Sequence, residues 1–266
     1  MANNRWLRLL FVLVLGQALL LARALFWPDR ITENLPWPAS PLNARFVAAL
    51  YCMGVVTSLL SIVAARYAAL RISVITLCGL TGGLLVLTLP HLGEFHGAGF
   101  PWRWLGFYSA DVVVTGWVLW KLRGRDPAPP GRSPAAPLLY GYAGLMAVAG
   151  AVMLVAPAFA VGHWPWHLTS ILSQVYSVFF LVSAFGGILA ASDPRTEAIW
   201  IYLAANLAMV VIVLAVSVLY PEPFKSGTPT VAWYVLWIAC GLTLVASLLV
   251  AVGSDRRRAA VAVVTP

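Results

Sequence analysis

Asp111 is the residue of this chain with the clearest capacity for chemistry. It lies within a continuously apolar segment, 104–121, and about 10 Å below the start of that segment if the segment is helical. A carboxylate at such a depth in a membrane is costly and needs a partner. Arg45 lies near the start of another apolar segment, at a matching depth. We predict an ion pair or a short water-bridged contact between Arg45 and Asp111; the alternative is a polar binding site or a proton relay.

Histidine and glutamate side chains are candidate metal ligands. His163 and His167 have the i, i+4 spacing that metal ligands use on a helix, although a proline between them indicates a loop. His91 and Glu94 lie in a second loop together with His96. Both loops are expected at the outer membrane face, so His91, Glu94, His163 and His167 form a candidate joint metal site, with solvated loop histidines as the alternative. No histidine lies inside an apolar segment, and we expect no haem or other cofactor.

Uncharged polar residues at membrane depth form a third group of candidates. Interhelical hydrogen bonds are the usual role of such residues, which here include Gln17, Gln174 and Asn206. Gln174 and Asn206, together with Trp37 and Trp166, are also candidate binding residues.

Motifs of the common enzyme classes are missing from the sequence. It contains no G-x-x-x-x-G-K-[ST] phosphate loop, no H-E-x-x-H, no G-x-S-x-G and no C-x-x-C. Cys52, Cys78 and Cys240 all fall within apolar segments, where we interpret them as buried small hydrophobes. An enzymatic function is not favoured.

Composition indicates an all-α integral membrane protein. Hydrophobic residues make up 61% of the chain and charged residues 10%, and the mean hydropathy is +0.88. A soluble domain is about half apolar and about a quarter charged. The apolar residues form eight blocks of roughly 20 residues, the length that a helix needs to cross the hydrocarbon core. These predicted spans are 7–26, 43–65, 72–90, 104–121, 138–158, 170–191, 198–219 and 231–252.

The net charge of +8 is explained by membrane topology. If the N-terminus is cytoplasmic, twelve of the 17 Lys and Arg residues fall in inside segments and four in outside loops. This bias follows the positive-inside rule and predicts that both termini are cytoplasmic. The basic run Arg256–Arg258 then reads as a stop signal and a lipid headgroup contact, so no nucleic-acid partner is expected.

An ungapped offset of 129 residues aligns the chain with itself. Scarce residue types coincide at corresponding block ends, including Trp37 with Trp166, Arg66 with Arg195, and Trp104 with Trp233. We predict two four-helix repeats, 1–126 and 138–266, joined by a Pro-rich cytoplasmic linker, 127–137. Four spans per repeat make the repeats parallel, related by an axis along the membrane normal. The first block looks like a signal peptide, but its counterpart is internal, so we expect it to be retained.

The same offset relates the residues with candidate chemistry. The counterparts of Arg45 and Asp111 are Gln174 and Cys240, so both charges are absent together from the second repeat. A direct pair would produce this pattern.

A Pro-Trp element precedes the second span of each repeat. It reads W-P-W-H-L-T in residues 164–169 and P-W-P-A-S-P-L in residues 36–42. We interpret it as an aromatic anchor at the headgroup level, with Ser40 or Asn43 and Thr169 or Ser170 as helix caps; a ligand-binding rim is the alternative. The pair resembles the W-P-W-x-L-T-P-L element of uncharacterised bacterial multi-pass membrane proteins, although neither copy is complete. The resemblance implies a bacterial inner-membrane protein of similar layout and no particular activity.

Three classes of function remain open at this point. The first is binding or transport of a small molecule or lipid between the two repeats, near Arg45 and Asp111. The second is a non-catalytic accessory or structural subunit of a membrane complex. The third is a membrane enzyme with an outer-face His/Glu metal site. The expected partners are the lipid bilayer and either another membrane protein or a small hydrophobic ligand.

Overall fold

The computed structural model describes residues 5–29, 37–64, 66–94, 100–125 and 127–264. Regular secondary structure in these ranges is helical, and no strand occurs in them. Two 3₁₀ turns, Arg23–Leu25 and Leu89–Glu94, follow the first and third long helices. The α-helices are α1 (Arg5–Ala22), α2 (Pro41–Val63), α3 (Tyr67–Thr88), α4 (Phe100–Leu122), α5 (Ala136–Val155), α6 (Pro157–His163), α7 (Ser170–Ala191), α8 (Thr196–Leu219) and α9 (Thr228–Val264).

Seven helical segments of the described residues are long and apolar enough to cross a membrane. They correspond to α1 to α3, α5 and α7 to α9. Together they indicate a multi-pass membrane protein. The predicted span at 104–121 corresponds to α4, which is helical but carries Arg103, Asp111 and Lys121 and is not one of the seven.

Side-chain caps start two of the long helices at the expected places. Ser40 precedes α2, and its hydroxyl accepts a hydrogen bond from the Asn43 amide at 3.3 Å. Thr169 precedes α7 and accepts from the Leu172 amide at 3.3 Å. These side chains satisfy amide donors that the first turn of a helix leaves free.

The bundle is built from helix pairs. We call α1 to α4 the first half and α5 to α9 the second half. In the first half α1 packs against α2 and α3 against α4; in the second half α5 packs against α7 and α8 against α9. The halves meet where α2 contacts α8 and where α3 contacts both α7 and α8.

Aromatic rings at one end of the bundle pack α2 against the second half. The Phe46 ring of α2 lies 4.7–6.4 Å, centroid to centroid, from five rings of the second half, mostly edge to face. These rings belong to Trp164, Trp166, Tyr176, Trp233 and Trp237. Edge-to-face rings add favourable quadrupole contacts to their dense packing, so this aromatic cluster holds the halves in register.

Trp37 and Trp166, expected as anchors at the headgroup level, are both buried inside the bundle. The Trp37 ring packs edge to face on Trp104 at 5.1 Å, and the Trp166 ring packs on Trp233 at 4.9 Å. The Trp166 indole donates to the Asn43 side-chain oxygen at 2.7 Å. The Pro-Trp elements therefore anchor the chain to neighbouring helices, because these supply both ring contacts and a buried acceptor.

Candidate functional site

A cavity of about 250 Å³ lies among the four helices of the first half, and we call it the Gln17–Asp111 cavity. Its wall is mostly apolar and includes leucines of α1 and α3. The polar side chains in its lining are Gln17, Arg23, Tyr51, Thr81, Tyr108 and Asp111.

Asp111 is the acidic residue among the described residues that line this cavity. Its side chain is 9% exposed, and Gln17 Nε2 donates to Asp111 Oδ1 at 3.3 Å. Among the described residues no ion pair includes Asp111, and its second oxygen, Oδ2, has no hydrogen-bond donor. A costly buried charge thus has one neutral partner and one oxygen free to accept.

Two tyrosines place hydroxyl groups in the same cavity. Tyr51 of α2 and Tyr108 of α4 are hydrogen-bonded to each other through their hydroxyl oxygens. Only one of them donates in that bond, so the other keeps a proton for a further acceptor. Two other lining residues use their donors within the protein: Thr81 donates to the Leu77 carbonyl at 2.9 Å, and the Trp104 indole donates to Thr88 at 3.0 Å.

Exposed apolar side chains mark where the cavity opens. Leu20 of α1 and Phe107 of α4 both line it, and they are 55% and 58% exposed. The opening therefore lies on the lateral surface of the bundle between α1 and α4, the surface that faces lipid in a membrane protein. Arg23 lines the same cavity, and its side chain is exposed. Towards the other end, α1 and α4 touch through the rings of Trp6 and Trp117, 5.6 Å apart.

Arg45 and Asp111, predicted as a pair, have different partners in the structure. The Arg45 guanidinium carbon lies 3.7 Å from the centroid of the Tyr220 ring, just after α8, in a cation–π contact. This places Arg45 on the side of α2 that faces the second half, whereas Asp111 faces α1 inside the first half. Helix rotation thus separates two groups whose depths matched.

Gln17 is the partner of Asp111 that the comparison of repeats could have found. Its counterpart at the 129-residue offset is Met146, and that of Asp111 is Cys240. Gln17 and Asp111 therefore also occur together in one half and are absent together from the other, the same signal that pointed to Arg45.

His91 and Glu94 lie together in the 3₁₀ turn that follows α3, where His91 Nδ1 is 2.7 Å from Glu94 Oε1. The other ring nitrogen of His91 is 2.9 Å from Gln174 Oε1, at the start of α7. Gln174 also donates to the Leu154 carbonyl at 3.3 Å. This polar chain joins the two halves.

His163 and His167 are not part of that chain. His163 Nδ1 lies 2.9 Å from the Phe159 carbonyl, and its ring stacks on that of Phe159 at 4.1 Å. The side chain of His167 is exposed, and its carbonyl accepts from Asn43 at 3.0 Å. His96 lies outside the described residues. Within the described ranges, no three His, Cys, Asp or Glu side chains gather closely enough to hold a metal ion.

The other predicted binding residues do not line the Gln17–Asp111 cavity; they are Asn206, Gln174, Trp37 and Trp166. Asn206 accepts from the Tyr142 hydroxyl at 3.0 Å and borders a crevice of about 30 Å³ between α2, α3, α7 and α8. Its amide also donates to a carbonyl of its own helix.

Comparison with known proteins adds no relative to this picture: no protein-family model, curated protein or solved structure matches the chain.

Proposed function

We propose that this chain is a bacterial inner-membrane protein that takes up a small amphiphilic molecule from the bilayer into the Gln17–Asp111 cavity. The observation that carries the proposal is the cavity itself, whose lining is mostly apolar and includes the buried polar side chains of Tyr51, Tyr108 and Asp111. Ligand sites of proteins commonly combine an apolar lining with a few convergent polar groups. The opening between Leu20 and Phe107 gives a lipid-dissolved molecule a lateral path.

Size supports the same function. An apolar cavity of about 150 Å³ is large enough to hold benzene. The Gln17–Asp111 cavity, at about 250 Å³, therefore has room for a somewhat larger body, such as two fused rings.

The corresponding place in the second half supports a specialised role for this cavity. There α5 packs against α9, the helices that correspond to α1 and α4. The counterparts of the four polar groups Gln17, Tyr51, Tyr108 and Asp111 are Met146, Phe180, Trp237 and Cys240, all buried. In the second half, side chains of low polarity therefore fill all four positions and pack well. Packing alone thus does not explain why the first half has polar side chains at these positions.

We propose further that the two halves are parallel four-span repeats, with α4 as the fourth of eight spans and with both termini cytoplasmic. Matching hydrogen bonds support the duplication. The Trp104 indole donates to Thr88 at 3.0 Å, and the Trp233 indole donates to Ser217 at 2.9 Å, both residues being shifted by 129.

Contacts between the halves support an approximate twofold axis. Arg45 meets Tyr220, and Gln174 meets His91. The offset of 129 converts Arg45 into Gln174 and His91 into Tyr220. Each half therefore offers the same two positions to the other, as two parallel repeats related by a twofold axis would.

Cysteine labelling tests the proposed topology. Pro130→Cys and Ser226→Cys place exposed thiols on the linker and on the loop before α9, in a protein whose native cysteines are replaced by alanine. A membrane-impermeant maleimide should label Ser226→Cys in intact spheroplasts and Pro130→Cys only after lysis. The reverse result, or labelling of both from outside, would overturn the topology.

Ligand binding tests the function, with two neighbouring leucines as matched sites. Leu19 and Leu20 are both exposed on α1, but only Leu20 lines the cavity. The protein is placed in phosphatidylcholine nanodiscs, and binding of tritiated 1-naphthylmethanol is measured by equilibrium dialysis against empty nanodiscs. We expect saturable binding that Leu20→Trp weakens about tenfold or more, by covering the opening, while Leu19→Trp leaves it unchanged. No saturable binding, or equal effects of the two substitutions, would contradict the proposal.

A further inference from the structure

We infer that the Gln17–Asp111 cavity selects a molecule whose polar end is a protonated amine. The inference rests on the proposed binding function and adds the chemical class of the ligand.

Most of the polar atoms of the cavity that lack a hydrogen-bond partner are oxygen atoms that can accept a hydrogen bond. Gln17 gives its amide nitrogen to Asp111 Oδ1, which leaves the Gln17 carbonyl oxygen free. Asp111 Oδ2 is also free of donors among the described residues. Tyr51 and Tyr108 together retain one hydroxyl proton. A ligand group with several donors fits this arrangement, and an ammonium has up to three donors and no acceptor.

The charges around the cavity point to the same group. Of the four helices that line it, α4 contributes Asp111, while α2 and α3 contribute no charged side chain. The turn that follows α1 contributes Arg23, which is exposed and forms no ion pair with Asp111. A carboxylate in an apolar wall without a cationic partner is unfavourable, and a bound cation relieves that cost. A ligand anion at the same place would instead be repelled by Asp111.

Three aromatic residues in the cavity lining also favour a cation. Tyr51, Tyr108 and Trp104 all line the cavity, and the Trp104 and Tyr108 rings lie 4.4 Å apart. Ring faces attract an ammonium more strongly where water is excluded. The apolar wall in turn suits a hydrophobic body, so the ligand class is a lipophilic amine with a single positive charge.

A matched pair of probes tests this inference. 1-Naphthylmethylamine and 1-naphthylmethanol share the ring and the methylene and differ in the polar group. Both are titrated by equilibrium dialysis into nanodiscs of phosphatidylcholine at neutral pH, with empty nanodiscs measuring bulk partition. We expect the amine to bind at least tenfold more tightly than the alcohol. Asp111→Asn should remove that preference while keeping the side-chain volume.

Two further variants make the outcome decisive. Glu197→Gln removes a surface acid that contacts Arg66 and should leave the amine preference unchanged. Gln17→Met is the second test, for use if Asp111→Asn does not fold. It introduces the residue found at the corresponding place in the second half and should weaken amine binding. Equal binding of the two probes, both sensitive to Leu20→Trp, would overturn the amine inference and leave the proposed binding function intact. Binding of neither probe would overturn both.

Discussion

Replacing Asn43 by leucine should destabilise the contact between the two halves. Asn43 lies in the first turn of α2 and is 1% exposed. Its side chain accepts from the Trp166 indole at 2.7 Å and from the Tyr176 hydroxyl at 3.0 Å. It also donates to the His167 carbonyl at 3.0 Å. Leucine removes every one of these bonds, although leucine is the residue at the corresponding place of α7, so the helix accommodates its shape.

The size of the effect depends on which groups lose their last partner. Tyr176 keeps an acceptor, because its hydroxyl is also 3.3 Å from the Asn43 backbone carbonyl. Among the described residues, the buried Trp166 indole has no other hydrogen-bond partner, whereas the bond to the carbonyl of the exposed residue His167 is only partly buried. Each buried group left without a hydrogen bond costs about 1–3 kcal/mol. With about 1–3 kcal/mol for the Trp166 indole and about 1 kcal/mol for the lost bond to the His167 carbonyl, we expect Asn43→Leu to lower the free energy of unfolding by about 2–4 kcal/mol.

Equilibrium unfolding measures this loss. The protein is titrated with sodium dodecyl sulfate in mixed micelles, and unfolding is followed by tryptophan fluorescence. Tyr176→Phe is the control, because it removes one hydroxyl but leaves the bond between Trp166 and Asn43, and should cost about 1 kcal/mol. A loss for Asn43→Leu no larger than that of Tyr176→Phe would refute the reasoning that orphaned groups dominate.

Three further predictions use the same unfolding assay. Phe46→Ala removes the central ring of the aromatic cluster and should lower the free energy of unfolding by about 3–5 kcal/mol. A loss below about 1 kcal/mol would contradict the central position of this ring. Trp104→Phe and Trp233→Phe each remove one indole hydrogen bond of similar geometry, which contributes about 1 kcal/mol to the free energy of unfolding. Trp233→Phe should lower that free energy further, because Trp233 is packed in the aromatic cluster whereas Trp104 lines a cavity; equal losses would argue against this difference in packing. Gly186→Ala should cost about 1–3 kcal/mol, because its Cβ would lie 2.6 Å from a tyrosine ring, whereas Gly144→Ala meets open space and should be neutral or stabilising by about 0.5–1 kcal/mol. Equal effects of the two glycine substitutions would refute the close contact.

The two halves differ in how they use equivalent positions. In the second half, Phe180 and Trp237 are in ring contact at 5.8 Å and belong to the buried core. In the first half, the corresponding Tyr51 and Tyr108 exchange a hydrogen bond beside a cavity. At these two positions the first half therefore has hydroxyl groups that form a hydrogen bond, where the second half has rings that pack on each other. On the proposed function, one half provides the rigid support and the other provides the binding site.

Local features of the chain determined the helices. The lengths of the apolar blocks predicted the approximate bounds of several helices, as for the block 170–191 and the helix Ser170–Ala191. Of the eight predicted spans, seven correspond to described helices that are long and apolar enough to cross a membrane. Caps are also local, because a side chain three residues before an amide reaches it without help from the rest of the fold. Ser40 and Thr169 were therefore predictable. The apolar block 231–252 gave a membrane span but not the full length of the last helix, since α9 continues to Val264.

Only the tertiary structure decided which side chains meet. Arg45 and Asp111 have matching depths in the sequence, but depth leaves the rotation of each helix open, and packing turns Arg45 towards Tyr220 and Asp111 towards Gln17. The cavity has the same origin, because it depends on how α1 and α4 are placed against α2 and α3. The length of a continuously apolar block specifies that a helix can cross a membrane. Ring contacts and close packing between helices select its rotation, its neighbours and the space left between them.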